Sequence, residues 1–307
     1  MTPPPPDSAW LQAVARWAGA PVTVTARAPL AGGYVAAAVE RVDLDAGDRP
    51  AVVVLKRARP SEVAAMRALG VVAGVDRPRL LATGRDRHGP WLVMPFYAGP
   101  ALDGGEVPAE VWDVLGRVHT HWHGKRPRGV PVVDARWWWG MVTGHTLPAV
   151  RGARDRTGDA RLAEIVGLLE AWSTDARLRT ALALLPRTLT HGDAHRGNVL
   201  LAPGGAVLID WGNARVAPAG LDVATLAAQG VAAPSAYHPP ALPPALREVE
   251  RLWAQVQVHV QYLGFAADHL GAARVTDMVE TAARALDELG PALQRCGHAA
   301  LRPDVRP

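Results

Sequence analysis

The sequence predicts an α+β protein of two lobes, a small β-rich one followed by a larger, mainly helical one. Three observations lead there. Short β-branched runs separated by Gly, Pro and Asp turns fill residues 22–95. Apolar residues at i, i+3, i+4 spacing dominate from Pro108 onward. Between the two regimes, Tyr97-Ala98-Gly99-Pro100 reads as a linker. The expected division is 1–97 for the first lobe and 98–307 for the second.

In chain order, a Pro tract leads into helical spacing at Trp10, Val14 and Trp17, stopped by Gly19-Ala20-Pro21. Val22–Ala28 and Val35–Leu44 read as strands around Ala31-Gly32-Gly33, and Ala51–Lys56 as a buried strand ending in a lysine. Ser61 is the expected N-cap of a helix with Glu62 in its first turn, continuing through Ala64–Leu69. Arg79–Gly84 and Trp91–Met94 complete a sheet of about five strands. Beyond the linker, Pro108–Trp122, Ala160–Trp172, Pro244–Leu270 and Thr276–Leu289 carry helical periodicity. Thr188–Asp210 breaks it with two short strands.

Composition narrows the function classes. The chain has 307 residues, 49% hydrophobic and 20% charged, ample for a large core. Its net charge is only +4, with arginines interspersed among acids rather than gathered in a stripe, which argues against nucleic acid. A single cysteine, Cys296, excludes an internal disulfide and a multi-cysteine metal site and fits a reducing compartment. No stretch has the length and apolarity of a membrane span, and the Pro-rich start lacks the pattern of a signal peptide. The expectation is a soluble, cytoplasmic protein.

The chemistry concentrates in His191–Gly212, HGDAHRGNVLLAPGGAVLIDWG. Asn198 opens an apolar strand, Pro203-Gly204-Gly205 turns it, and Ala206–Ile209 returns to Asp210. A hairpin symmetric about Gly204 would set Asn198 directly opposite Asp210. Oxygen donors so placed suit Mg²⁺, which prefers one or two carboxylates together with phosphate oxygens. Asp193, on the loop entering the hairpin, is placed to accept a proton from an attacking hydroxyl, and phosphoryl transfer needs little beyond positioning and charge stabilisation.

His191-Gly-Asp193 with Asn198, followed by Ile209-Asp210-Trp211, resembles the signature of the aminoglycoside phosphotransferase and choline kinase family, a branch of the protein-kinase-like fold. The resemblance covers roughly residues 25–230. It implies a bilobal kinase-like fold and transfer of the γ-phosphate of ATP to a small-molecule hydroxyl. Asp193 is then the catalytic base, and Asn198 and Asp210 hold Mg²⁺. Lys56 takes the place of the lysine that contacts the α/β-phosphates, and Glu62 that of the helix glutamate paired with it. Gly32-Gly33 becomes the phosphate-covering turn, although no G-x-G-x-x-G is present. Met94–Tyr97, including Phe96, is the hinge whose backbone meets adenine. Asp222 corresponds to an aspartate bracing the catalytic loop, a place where a plain helix N-cap serves equally.

Two further features draw the eye. His119, His121 and His123 alternate at a helix end without a second ligand cluster, a poor case for zinc. Trp137-Trp138-Trp139 reads as a loop, as packing or as an aromatic wall for a sugar or a cation. Competing functions are a protein kinase, disfavoured by the short Asp210–Asp222 span, and a nucleotide-binding pseudokinase acting as an interaction module. The identity of the acceptor (aminoglycoside, sugar, amino alcohol or similar) and the oligomeric state have no sequence signature here. Glu248, Glu250, Asp268, Asp277 and Glu280 are the acidic candidates for a cationic one.

Overall fold

Alternation in the third strand decides which way the first lobe faces. The computed structural model describes residues 4–30, 39–47, 49–235 and 237–300. After helix α1 (Leu11–Ala18) come β1 (Thr23–Pro29), β2 (Val39–Asp45), β3 (Pro50–Arg57), α2 (Pro60–Leu69), β4 (Ala82–Asp86) and β5 (Gly89–Pro95). All pairings are antiparallel, in the order β1-β2-β3-β5-β4. Val53 and Leu55 point to one face, where Trp10 and Val14 of the α1 region cover them together with Val42, Leu44, Trp91 and Val93. With a side-chain period of two, Val54 and Lys56 must face the other way. Burying Trp10 completely, at ~2–3 kcal/mol for a large apolar side chain, thus fixes the outer face of the sheet and turns Lys56 inward.

The inner face belongs to a core shared with the second lobe. Leu92 and Met94 of β5 and Ala65, Met66 and Leu69 of α2 pack with Val111, Trp112 and Leu115 of α3 (Ala109–Trp122) and with Trp211. The remaining elements are α4 (Ala135–Met141), a π-helical turn (Val142–Thr146), α5 (Leu147–Thr157), α6 (Ala160–Trp172), α7 (Ala176–Leu184), β6 (Thr188–Thr190), β7 (Val199–Ala202), β8 (Gly205–Leu208), β9 (Arg215–Ala217), α8 (Gly220–Ala227), α9 (Pro244–Gln261), α10 (Leu263–His269) and α11 (Ala272–Ala300). A second core, built around Trp138, Trp172, Trp253 and Leu289, joins α4–α7 to α9–α11. No helix among the described residues is long and apolar enough to cross a membrane.

Several expectations shift. Pro60, pre-set for the first helical position, starts α2 early; Arg59 occupies the N-cap and Ser61 lies inside the helix. The tryptophan run is helical, because Asp134 caps α4 by accepting from the Trp137 N–H at 2.8 Å. The single helix expected over Pro244–Leu270 breaks at Tyr262 into α9 and α10. Thr188–Asp210 holds three strands, since β6 pairs with β9 rather than with its neighbours. Pro100–Leu102 continues onto the β7–β8 hairpin, Leu201 N–H donating to the Pro100 carbonyl and Leu102 N–H to that of Val199. Gly99 permits the approach: a Cβ there would stand 2.2 Å from the Leu201 carbonyl oxygen.

Candidate active site

The hairpin register places its two flanking residues differently from the symmetric expectation. Val199 pairs with Leu208 and Ala202 with Gly205, so Pro203-Gly204 forms a two-residue turn. Asn198 therefore lies opposite Ile209, whose N–H donates to the Asn198 carbonyl at 2.8 Å. Asp210 is one residue further on and leaves the strand in a left-handed conformation, φ 61°, ψ 64°. It is the one non-glycine residue with positive φ among those described. Such a conformation at an ordinary residue costs of order 1–3 kcal/mol and persists where surroundings impose it.

An ionic cluster surrounds it. Lys56 Nζ lies 2.7 Å from Asp210 Oδ1 and 2.8 Å from Glu62 Oε1, so three segments remote in sequence meet at one ammonium. Burial works against the lysine's charge, but the two carboxylates outweigh it and hold its pKa above the ordinary value. Asp210, with its side chain 48% exposed, is held low, Lys56 overcoming what burial there is. Glu62 is buried, and that burial raises its pKa despite Lys56. The expected Lys56–Glu62 pair is present, and Asp210 joins it.

The catalytic-loop candidate hangs on Asp222. Its carboxylate accepts from the N–H groups of His191 and Gly192, each at 2.8 Å, and from His119 Nε2 at 3.0 Å. Facing that carboxylate, Nε2 carries the imidazole proton, which leaves Nδ1 to accept from the Tyr237 hydroxyl at 2.8 Å. Burial keeps that phenol protonated. His119 thus spends both ring nitrogens inside the protein and has none for zinc. Asp222 sits within the first turn of α8 while Ala219 takes the N-cap, so it braces the loop without capping the helix. Gly192 must be glycine: φ is 76°, and a Cβ would meet the Asn213 carbonyl oxygen at 2.2 Å.

Asp193 follows, half-buried. Asn213 Nδ2 donates to its Oδ2 at 2.9 Å, and the Tyr262 hydroxyl donates to its Oδ1. Tyr262 keeps its proton, since burial and the neighbouring Asp193 charge raise its pKa well above 10.0. The break between α9 and α10 is what brings this phenol to the loop. Asn198 Nδ2 donates to the Asp193 carbonyl at 2.9 Å, which leaves the amide oxygen of Asn198 as its remaining ligating atom. Beside the loop, the buried Arg215 donates to the carbonyl of Asn213 and to Gln261 Oε1, each at 2.9 Å, and its guanidinium lies 4.8 Å from the Trp137 ring centre. Burial pushes the Arg215 pKa down.

The three tryptophans divide their roles. Trp138 is buried and donates to the Trp172 carbonyl at 2.9 Å, Trp139 is exposed, and Trp137 walls a cavity of about 840 Å³ with Asn213 and Arg215. In the expected hinge, two backbone N–H groups belong to the sheet. Phe96 N–H donates to the Val52 carbonyl at 2.9 Å, and Met94 stands opposite Val54, a hydrogen-bonded pair by the alternation of an antiparallel ladder. Both N–H groups are committed to the sheet, which leaves other backbone groups of Met94–Tyr97 for a nucleotide. Gly32 and Gly33 lie outside the described residues. Of the acidic candidates, Glu248, Asp268 and Glu280 pair with Arg251, Arg156 and Arg284, and Glu250 is buried against the start of α8.

Asn213, Arg215, Tyr237, Gln261 and Tyr262 were not singled out from sequence. Tyr262 had one signal, a polar-tipped aromatic inside an otherwise regular apolar face.

Known proteins share the family and the fold. A model of the phosphotransferase enzyme family matches residues 27–236. Among solved structures, the chain is similar to a spectinomycin phosphotransferase in complex with ADP and spectinomycin. The identity is 12%, covering 92% of this chain and 98% of that one, with a TM-score of 0.52. It is similar to a choline kinase from Cryptosporidium parvum at 11% identity, covering 92% of each chain, with a TM-score of 0.52. The GDP complex of an aminoglycoside 2'-phosphotransferase mutant matches at 14% identity over 88% of this chain and 94% of that one, TM-score 0.50. No curated protein sequence matches. At such identities the likeness is one of fold, the bilobal protein-kinase-like architecture.

Proposed function

The chain belongs to the phosphotransferase enzyme family, and from that premise we propose that it moves the γ-phosphate of ATP to a hydroxyl of a small molecule. Residues 1–97 form the nucleotide side, and 98–307 the catalytic and acceptor side. The observation that carries the reading is the meeting of Lys56, Glu62 and Asp210, 2.7–2.8 Å apart, beside a braced loop bearing Asp193. A lysine between two carboxylates keeps its charge and a fixed direction, as a phosphate contact requires.

Asp193 is the base. Its two hydrogen-bond donors fix the carboxylate plane without supplying a positive charge, so it retains the capacity to orient an acceptor hydroxyl and take its proton. The hydroxyl oxygen bonds to the γ-phosphorus as the bond to the β,γ-bridging oxygen breaks, and ADP leaves. Asp210 and the free amide oxygen of Asn198 are hard oxygen donors that fit Mg²⁺. When bound, that ion supplies charge neutralisation for the phosphates. The short span from Asp210 to Asp222 is filled by a 3₁₀ turn at Trp211–Asn213 and by β9, which leaves no room for a peptide-docking segment and speaks against a protein kinase.

Coupled ADP-release assays on wild type and Asp193→Ala, over aminoglycosides, sugars, amino alcohols and hydroxy amino acids, test the proposal. Acceptor-dependent release that vanishes in the variant is expected. Release that ignores Asp193 overturns it.

A further inference from the structure

The cavity beside the catalytic loop has a sign. It lies between the start of α2, the Gly212–Arg215 segment and α4, and Arg59, Arg136 and Arg215 line it against a single carboxylate, Asp134. That carboxylate is already engaged as the N-cap of α4. Among the described residues none of the three arginines is ion-paired to a carboxylate. Elsewhere the chain pairs its arginines freely, as with Arg27, Arg151, Arg156 and Arg177.

Each of the three arginines carries a cost where it stands. Arg215 is buried, with 7% of its surface exposed, yet its hydrogen bonds go to neutral acceptors, the Asn213 and Gly192 carbonyls and the Gln261 amide. Neutral acceptors satisfy its N–H groups, and although Asp193 and Asp222 act on its charge from nearby, burial outweighs them, an expensive state for a cation. Arg59 is the N-cap of α2, and Arg136 lies in the first turn of α4. The macrodipole is positive at a helix start and disfavours a cation there. Three arginines, none of them ion-paired to a carboxylate, converge on one cavity, and a negative group entering it would complete their compensation.

We infer that the acceptor carries a negative group, a carboxylate or a phosphate, on the same molecule as the hydroxyl to be phosphorylated. This rests on the phosphotransferase reading above. A hydroxyl on an anion has to approach the triphosphate of ATP, and guanidinium groups around the acceptor remove the repulsion that would otherwise keep it away. Trp137, held under Arg215, offers a flat apolar wall for the carbon skeleton. The hydroxyl oxygen bonds to the γ-phosphorus, its proton passes to Asp193 and ADP leaves, the acceptor's charged group being a spectator. Cations such as choline or an aminoglycoside would meet three arginines and one committed carboxylate.

The test is calorimetric titration of the protein saturated with Mg²⁺ and ADP, using gluconate, glycerol 3-phosphate, glycerol and choline as probes. At least one anion should bind more than about tenfold tighter than glycerol and choline, and preference between the two anions identifies carboxylate or phosphate. Arg136→Gln, an exposed and structurally mild change, should weaken that anion by about tenfold, as loss of a charge-assisted contact does. Its ADP affinity serves as the folding control. Choline or glycerol binding as tightly as both anions, no probe binding, or an unchanged anion affinity in Arg136→Gln overturns the inference. ADP affinity is recorded first. Failure of ADP to bind counts against the phosphotransferase reading and its acceptor site together, whereas ADP binding without anion binding sinks the anionic acceptor alone.

Discussion

Replacing Asp222 with Asn probes the brace beneath the catalytic loop with the least change in shape. The carboxylate receives three donors: His191 N–H and His119 Nε2 on Oδ2, and Gly192 N–H on Oδ1. It has no exposed surface. An amide keeps the size but offers one oxygen. Turned to retain His191 and His119, its NH₂ confronts the Gly192 N–H, and a buried donor left without an acceptor costs about 1–3 kcal/mol. The two retained bonds also lose their charge, and charge-assisted bonds are roughly twice as strong as neutral ones. The total is about 3 kcal/mol. Urea unfolding should show the midpoint falling with an unchanged slope. A second signature lies in acid. Burial opposes the Asp222 charge, but the His119 hydrogen bond and its neighbours prevail and hold the folded pKa low. Its contribution is therefore present above the unfolded value of about 3.9 and lost as pH falls through the folded one. Wild type should lose stability there more steeply than the variant. A cost under about 1 kcal/mol at neutral pH, or identical acid limbs, would refute the reasoning.

Three other perturbations have definite outcomes. Lys56→Met should lower kcat/KM for ATP by about 10²–10³-fold, since one preorganised electrostatic contact is removed, while far-UV circular dichroism stays native. Tyr262→Phe removes one of two donors to Asp193 and should cut kcat about tenfold with ADP affinity unchanged; an unaltered kcat excludes that hydroxyl from positioning the base. Gly192→Ala combines a left-handed backbone with a Cβ 2.2 Å from the Asn213 carbonyl and should cost about 2–5 kcal/mol in thermal or urea unfolding.

How much of this could be read beforehand depends on the range of the forces involved. The strands around Lys56 and the order of elements were legible because alternation and turn chemistry act locally. The Lys56–Glu62 pair was legible from its position six residues apart on adjoining elements. The hairpin was legible as a hairpin, but its centre was misplaced by half a residue, because Pro203-Gly204-Gly205 allows either a two- or a three-residue turn and only the ladder distinguishes them. Tyr262 and Arg215 were not legible. Tyr262 reaches Asp193 across 69 positions through a helix break that its apolar periodicity conceals, and Arg215 looks like any other arginine until it is seen buried with its hydrogen bonds spent on neutral acceptors. The tryptophan run failed for a related reason: Asp134 starts the helix, but only tertiary packing assigns Trp138 to the core and Trp137 to the cavity.

The central claim is that Asp193 takes the proton of an acceptor hydroxyl in a kinase-like site that binds nucleotide independently of it. The most direct measurement compares wild type with Asp193→Asn in acceptor-dependent ADP release, with Mg²⁺–ADP affinity determined on the same preparations. The variant keeps the side-chain size and stays next to Asn213 and Tyr262. The account predicts a fall in kcat/KM of about 10²–10⁴-fold, the usual worth of a positioned general base, with ADP affinity within about threefold of wild type. Activity within about tenfold of wild type, at unchanged ADP affinity, would contradict it.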